Sequence, residues 1–210
     1  VCWPLNLVAD LDYIPVIVSE TEDTITQLDG NGAYLKRHKK HDTTPEHIDF
    51  TVKCFEDWKK YKPFLLEANE RRINFEAYRK RKEEAKKANR FFCLSGVNVF
   101  EAIHPLCGHE NMLVGMALEP EWIQDMVETY SNLIINLHKK IFEKEGYPDG
   151  IWYYEDMGYK GTPFMSPDMY RELIMPGHIK TIDFAHSLNL PVVMHSCGFI
   201  EPLLPDMIKA

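Results

Sequence analysis

The chain has 210 residues, 45% of them apolar, with a net charge of −8 and a pI near 5.6. That length supports one core and a single domain over residues 1–210, and the acidity argues against a general nucleic-acid binder. No stretch approaches the roughly 20 apolar residues of a membrane span, and five irregularly spaced cysteines do not make the framework of a small secreted fold, so the expected setting is a reducing cytoplasm.

Val1-Cys2-Trp3-Pro4 lacks a Met and a signal pattern and reads as the middle of a longer chain. Residues 14–18 form a short apolar run that suits a strand, with Pro15 placing it at an edge or a strand start. Leu28-Asp29-Gly30-Asn31-Gly32 is a turn cluster. Thr43-Thr44-Pro45-Glu46 then predicts a helix start, with Thr44 as cap and Pro45 at the first helical position. Ile48, Val52, Phe55 and Trp58 follow at helical spacing, and Pro63 is expected to end the unit.

Residues 67–88 are rich in helix formers. The basic run Arg79-Lys80-Arg81-Lys82 is followed by Glu83 and Glu84, which makes it a solvated helix face. Phe91, Phe92, Leu94, Val97 and Val99 predict a strand leading into a loop. Pro120-Glu121 opens a long helix whose buried stripe is Trp122, Met126, Tyr130, Leu133, Leu137 and Ile141, with Gly146 after its end.

Gly150-Ile151-Trp152-Tyr153-Tyr154 reads as a buried strand, with Glu155-Asp156 and a loop over 157–165 after it. Ser166-Pro167 opens the next helix, which Pro176 interrupts or restarts. Residues 190–194 are again a strand, His195-Ser196-Cys197-Gly198 its exit loop, and 201–209 the next helix. The alternation of strand, loop and helix argues for a parallel sheet. Phosphate-binding glycine loops are absent, which favours a (β/α)₈ barrel. Only about four strands are evident where a barrel needs eight, so the expectation is an α/β chain holding an incomplete TIM barrel.

In such a fold, chemistry gathers where the strands end. His195 and Cys197 are two apart, so at a strand end both point to one side, and an imidazole with a thiolate suits zinc. The alternative is a buried cysteine beside a hydrogen-bonded histidine. Glu155 and Asp156, at the end of the preceding strand, are the candidate catalytic residues. Glu155 is a possible oxygen ligand. Asp156 is a candidate for orienting His195 or moving a proton; capping or turn formation is the plainer alternative for the pair. His104, Cys107 and His109 have metal-like spacing, but Pro105 and Gly108 suit an ordinary loop. The remaining histidines read as surface or packing groups, and Cys2, Cys54 and Cys93 as small apolar ones.

The order of Pro148-Asp149-Gly150, Glu155-Asp156-Met157-Gly158-Tyr159-Lys160, Ser166-Pro167, Tyr170-Arg171-Glu172, Pro176, His195-Ser196-Cys197-Gly198 and Pro202-Leu203-Leu204-Pro205 resembles the uroporphyrinogen decarboxylase superfamily. Thr44-Pro45-Glu46-His47 and Glu56-Asp57-Trp58 are similar to its first half. The resemblance implies a (β/α)₈ barrel and one of two chemistries. One is a zinc-dependent methyltransferase that works with a corrinoid protein on a small methylated substrate or thiol. Its zinc would sit on His195, Cys197 and a later cysteine expected beyond Ala210. The other is a metal-free decarboxylase, which needs cationic groups for substrate carboxylates; Arg71, Arg72 and Arg171 are available. A non-enzymatic barrel relative that docks a corrinoid protein is the third expectation.

Overall fold

A computed structural model describes residues 1–42 and 44–210. Its first half is an antiparallel meander of β1 (Val16–Glu20), β2 (Thr24–Leu28), β3 (Ala33–His38) and β4 (Glu46–Phe50), paired in that order. The turn cluster joins β2 to β3. There Asp29 Oδ1 accepts the amides of Asn31 and Ala33, both at 2.9 Å, which fixes the reversal.

The helix expected from Thr44 is instead β4, and α1 (Phe55–Leu65) begins later. Thr43, expected to head that helix, lies outside the described residues. Residues 46–50 satisfy a two-residue alternation as well as a helical one, and β3 supplies backbone partners, with Ala33 opposite Phe50 and Lys36 opposite Glu46. Pro63 falls within the last turn of α1. The stretch 67–88 divides into a 3₁₀ turn (Glu70–Arg72) and α2 (Phe75–Lys87), because the side chains of Asn69 and Asn74 each cap a new start.

The second half is built from β5 (Cys93–Val97), β6 (Gly150–Tyr154) and β7 (Val192–His195), paired in parallel as β5-β6-β7. Between β5 and β6 run α3 (Val99–Leu118) and α4 (Pro120–Glu145). Between β6 and β7 the single turn α5 (Pro167–Met169) passes through a π-helical segment (Tyr170–Ile174) into α6 (Met175–Ser187). A 3₁₀ turn (Glu201–Leu203) and α7 (Leu204–Met207) follow β7. The predicted stripe of α4 is buried at every position, and α4 packs against α1, α3 and α6. Each such large apolar side chain contributes roughly 1.5–3 kcal/mol by leaving water.

Residues 99–118, expected to start as a loop, are helical. Asn98 caps α3 by accepting the Val99 amide, and Gly108 breaks the helix at φ 74°. A Cβ at Gly108 would lie 2.3 Å from the Phe50 ring, so glycine is what lets β4 pack into the break.

The barrel expectation is corrected by the topology. The three parallel strands form an open sheet, and the four antiparallel strands pair among themselves as a separate sheet; among the described residues no strand links β7 back to β5. Strand–helix alternation is common to open sheets and closed barrels, and closure depends on strand number and stagger, which the alternation does not encode. Among the described residues no helix is long and apolar enough to cross a membrane.

Candidate metal centre

The register of the parallel sheet aligns Val97, Tyr154 and His195 at the C-terminal ends of β5, β6 and β7. Asp156 leaves β6 two residues past Tyr154, and Cys197 leaves β7 two residues past His195. These exits bring Asp156, His195 and Cys197 together, with one donor atom from each lying within 4.8 Å of the others. His195 Nε2 is 3.2 Å from Cys197 Sγ and 3.5 Å from Asp156 Oδ1. Tetrahedral zinc with bonds of about 2.0–2.3 Å sets its ligand atoms roughly 3.3–3.6 Å apart. A carboxylate, an imidazole and a sulfur at this spacing fit such an ion. Among the described residues they are the one group of three or more that does.

The surroundings hold these groups in place. Tyr154 donates to Asp156 Oδ2 at 2.6 Å, and the Cys197 amide donates to Asp156 Oδ1 at 2.6 Å. The Tyr154 ring stacks on the His195 imidazole, and Trp152 meets that imidazole edge-on. Desolvation, with the neighbouring Asp156 carboxylate, pushes the Cys197 thiol above its ordinary range. The two exit loops touch back to back. Ser196 Oγ accepts the Met157 amide at 3.0 Å, and Phe199 N–H donates to the Tyr159 carbonyl at 2.9 Å. A Cβ on Gly158 would stand 2.5 Å from the Cys197 carbonyl oxygen, and Gly198 has φ 77°. Both glycines are therefore required by the approach of one backbone to the other.

Glu155 lies elsewhere. It is fully buried, and its carboxylate accepts the amides of Phe100 at 2.8 Å and Glu101 at 3.1 Å. It also meets His178 Nε2 at 2.7 Å, while His178 Nδ1 faces the Tyr170 hydroxyl at 2.9 Å. Glu155 thus satisfies the start of α3 and ties it to α6. Its neighbour Asp156 carries the donor atom.

The second cluster is divided. The His104 and His109 rings stack 4.3 Å apart on α3, with His47 of β4 at 5.7 Å from His104 and Phe164 stacked on His109. Cys107 is buried away from them against the Ile103 carbonyl, and burial pushes its thiol up to about 12. The three arginines available to a decarboxylase are engaged: Arg71 with Asp12, Arg72 with the carbonyls of Val8, Ala9 and Phe64, and Arg171 with Asp168 and Asp206.

Sequence reading did not single out Tyr154, Ser196 or Gly158 as positioning residues. The signal was a glycine close behind each donor, Gly158 two residues after Asp156 and Gly198 one after Cys197.

The sequence matches no protein-family model and no curated relative. The structure is similar to a methyltransferase from Methanosarcina mazei, with a TM-score of 0.55 at 15% identity over 84% of this chain. The match covers 50% of that protein, so this chain spans about half its length. At that identity the likeness concerns the fold.

Proposed function

We propose that the chain is a zinc-dependent methyltransferase that moves a methyl group between a small methylated substrate or thiol and a corrinoid carried by a partner protein. The observation that carries the reading is the convergence of Asp156, His195 and Cys197 at the exits of two neighbouring parallel strands. The likeness in fold to a methyltransferase supports it, as does the resemblance of the His195-Ser196-Cys197-Gly198 segment.

His195, Cys197 and Asp156 would hold the ion, three protein donors with a fourth position left for substrate, the usual arrangement of a catalytic site. The ion's contribution when bound is to keep a thiol or hydroxyl substrate as its anion, or to draw charge from a methylated heteroatom. The protein's own groups do the rest. Tyr154 fixes the Asp156 carboxylate by hydrogen bonding and the His195 ring by stacking. The Gly158–Gly198 contact holds the Cys197 loop against the neighbouring loop. Trp3, in edge contact with Tyr154 at 6.2 Å, extends the aromatic face beside the site.

The test combines metal content with methyl transfer. Wild-type protein should carry about one zinc per chain and Cys197→Ser much less. The zinc-loaded protein should catalyse transfer from free methylcobalamin to a small thiol, giving the thioether and cob(I)alamin. Zinc content that is absent, or unaffected by Cys197→Ser, removes the metal reading. Bound zinc without transfer removes the methyltransferase reading.

A further inference from the structure

At the opposite end of the parallel sheet from the donor trio, the strand starts border an open cleft of about 520 Å³. The end of α2, the segment leading into β5 and the loop before β6 enclose it. Lys82, Lys86 and Arg90 line it together with Phe91, Tyr147 and Asp149.

The sequence alone reads the basic run of α2 as a solvated face, and for part of the run the geometry agrees. Arg79 pairs with Glu145, and Arg81 with Glu84. The cations at the cleft differ. Lys82 donates to the Glu145 backbone carbonyl at 2.7 Å, and the carboxylates of Asp149 and Glu145 favour its charge from beyond 4.0 Å. Among the described residues, no carboxylate lies within 4.0 Å of Lys86 or Arg90. Three cations against the single carboxylate that lines the cleft, Asp149, give it a locally positive balance in a chain of net charge −8, which suits an anion. Burial also pushes the Lys82 ammonium down, a penalty that a bound anion would relieve.

The other wall is aromatic. Phe91 is 63% exposed and Tyr147 54% exposed, an unusual placement for two large rings on one cleft. Both rings are partly braced: Phe91 lies against Gly150, where a Cβ would come within 3.1 Å of its ring, and Tyr147 meets Phe142 edge-on at 5.4 Å. Flat exposed rings beside Lys and Arg suit a ligand that is both phosphorylated and planar. Asp149 accepts the Phe92 amide at 2.7 Å through Oδ2, and its Oδ1 is an acceptor suited to a sugar hydroxyl. The volume falls in the range of small-molecule sites.

We propose that this cleft is a nucleotide-binding site, with phosphates on Lys86 and Arg90, helped by Lys82, and the base against Phe91 and Tyr147. It is independent of the metal centre. Gly150, where β6 starts, borders the cleft, whereas Tyr154, where β6 ends, borders the donor trio.

Calorimetric titration of the whole chain with ATP, adenosine and inorganic tripolyphosphate tests it. ATP should bind more tightly than either fragment. Lys86→Ala with Arg90→Ala should weaken ATP about 10-fold or more, and Tyr147→Ala should weaken ATP while leaving tripolyphosphate unchanged. All three positions are exposed, and unchanged circular dichroism will report an intact fold. Tripolyphosphate binding as tightly as ATP would reduce the cleft to a patch for any anion and overturn the proposal. So would ATP affinity unaffected by the double substitution, or no ATP binding up to about 5 mM.

Discussion

The Tyr154 hydroxyl donates a 2.6 Å hydrogen bond to Asp156 Oδ2, leaving Oδ1 of the same carboxylate 3.5 Å from His195 Nε2. One phenol thereby sets which oxygen faces the imidazole. The Asp156 hydrogen bond, with some burial, pushes the Tyr154 hydroxyl above its ordinary range, so it remains a donor at neutral pH.

Tyr154→Phe should keep the stack on His195 but free the carboxylate to rotate. Partners of this kind typically change metal affinity by about 10–100-fold. The expected result is a loss of zinc affinity in that range, measured by chelator competition, with unchanged thermal stability of the metal-free protein. Wild-type affinity in Tyr154→Phe would mean that the carboxylate needs no such support.

Gly158→Ala places a methyl group where the Cys197 carbonyl already lies, 2.5 Å away, so the two exit loops must part. The chain should still fold, because the contact lies outside the hydrophobic core. Zinc affinity should fall by at least about 10-fold. Cobalt substitution reads this directly: the thiolate-to-cobalt absorption of wild type should weaken in the variant. An unaltered cobalt spectrum would show that the loops have room to adjust.

Glu155→Ala strands two buried amides and His178 without their acceptor. Leaving buried groups unpaired costs about 1–3 kcal/mol each, so a loss of at least about 3 kcal/mol is expected in urea denaturation. Glu155→Gln retains one carbonyl oxygen and should lose less. A loss under about 1 kcal/mol in Glu155→Ala would contradict the role given to this carboxylate.

Acid should weaken the fold well above the carboxylate range. Burial holds His138 down to about 3, and burial with the nearby His104 holds His109 down to about 4, against 6.5 for a free imidazole. A folded-state pKa below the unfolded one contributes stability above pH 6.5 that is lost as pH falls toward those values. For His138 the slope is about 1.4 kcal/mol per pH unit. Neither of its ring nitrogens has a hydrogen-bond partner among the described residues. His138→Leu should therefore flatten the loss between pH 6.5 and 4, and should be at least as stable as wild type at pH 7. Equal slopes for the two proteins would place the acid sensitivity elsewhere.

Local signals made the βα half legible. Pro120 and Gly146 bracket α4, its apolar stripe follows one face, and Ser166-Pro167 marks α5. Those signals act within a few residues, as do the backbone preferences that create them. The meander was half hidden because β2, β3 and β4 are defined by pairing with each other, and Ile48 and Val52 fit a helix equally well. The open sheet was misread because strand closure is a property of the whole assembly. At the site, His195 and Cys197 were visible from their spacing, which a strand end converts into a shared direction. The division of labour between Glu155 and Asp156 was not. Adjacent residues leave a strand on opposite sides, and which side held the amides of α3 was settled by the position of Asn98 and the helix start.

All three donors belong to one stretch of chain that follows β6: the Cys197 amide reaches Asp156 across 41 positions, spanning α5, α6 and β7. A cation gripped there works as a clasp on that single strand–helix–strand unit. Its grip resists the fraying of two adjacent strands and leaves the meander to open on its own terms. Loading the ion would then slow deuterium uptake in β6 and β7 while β1 to β4 exchange as before, so occupancy can be read from the backbone without observing any reaction.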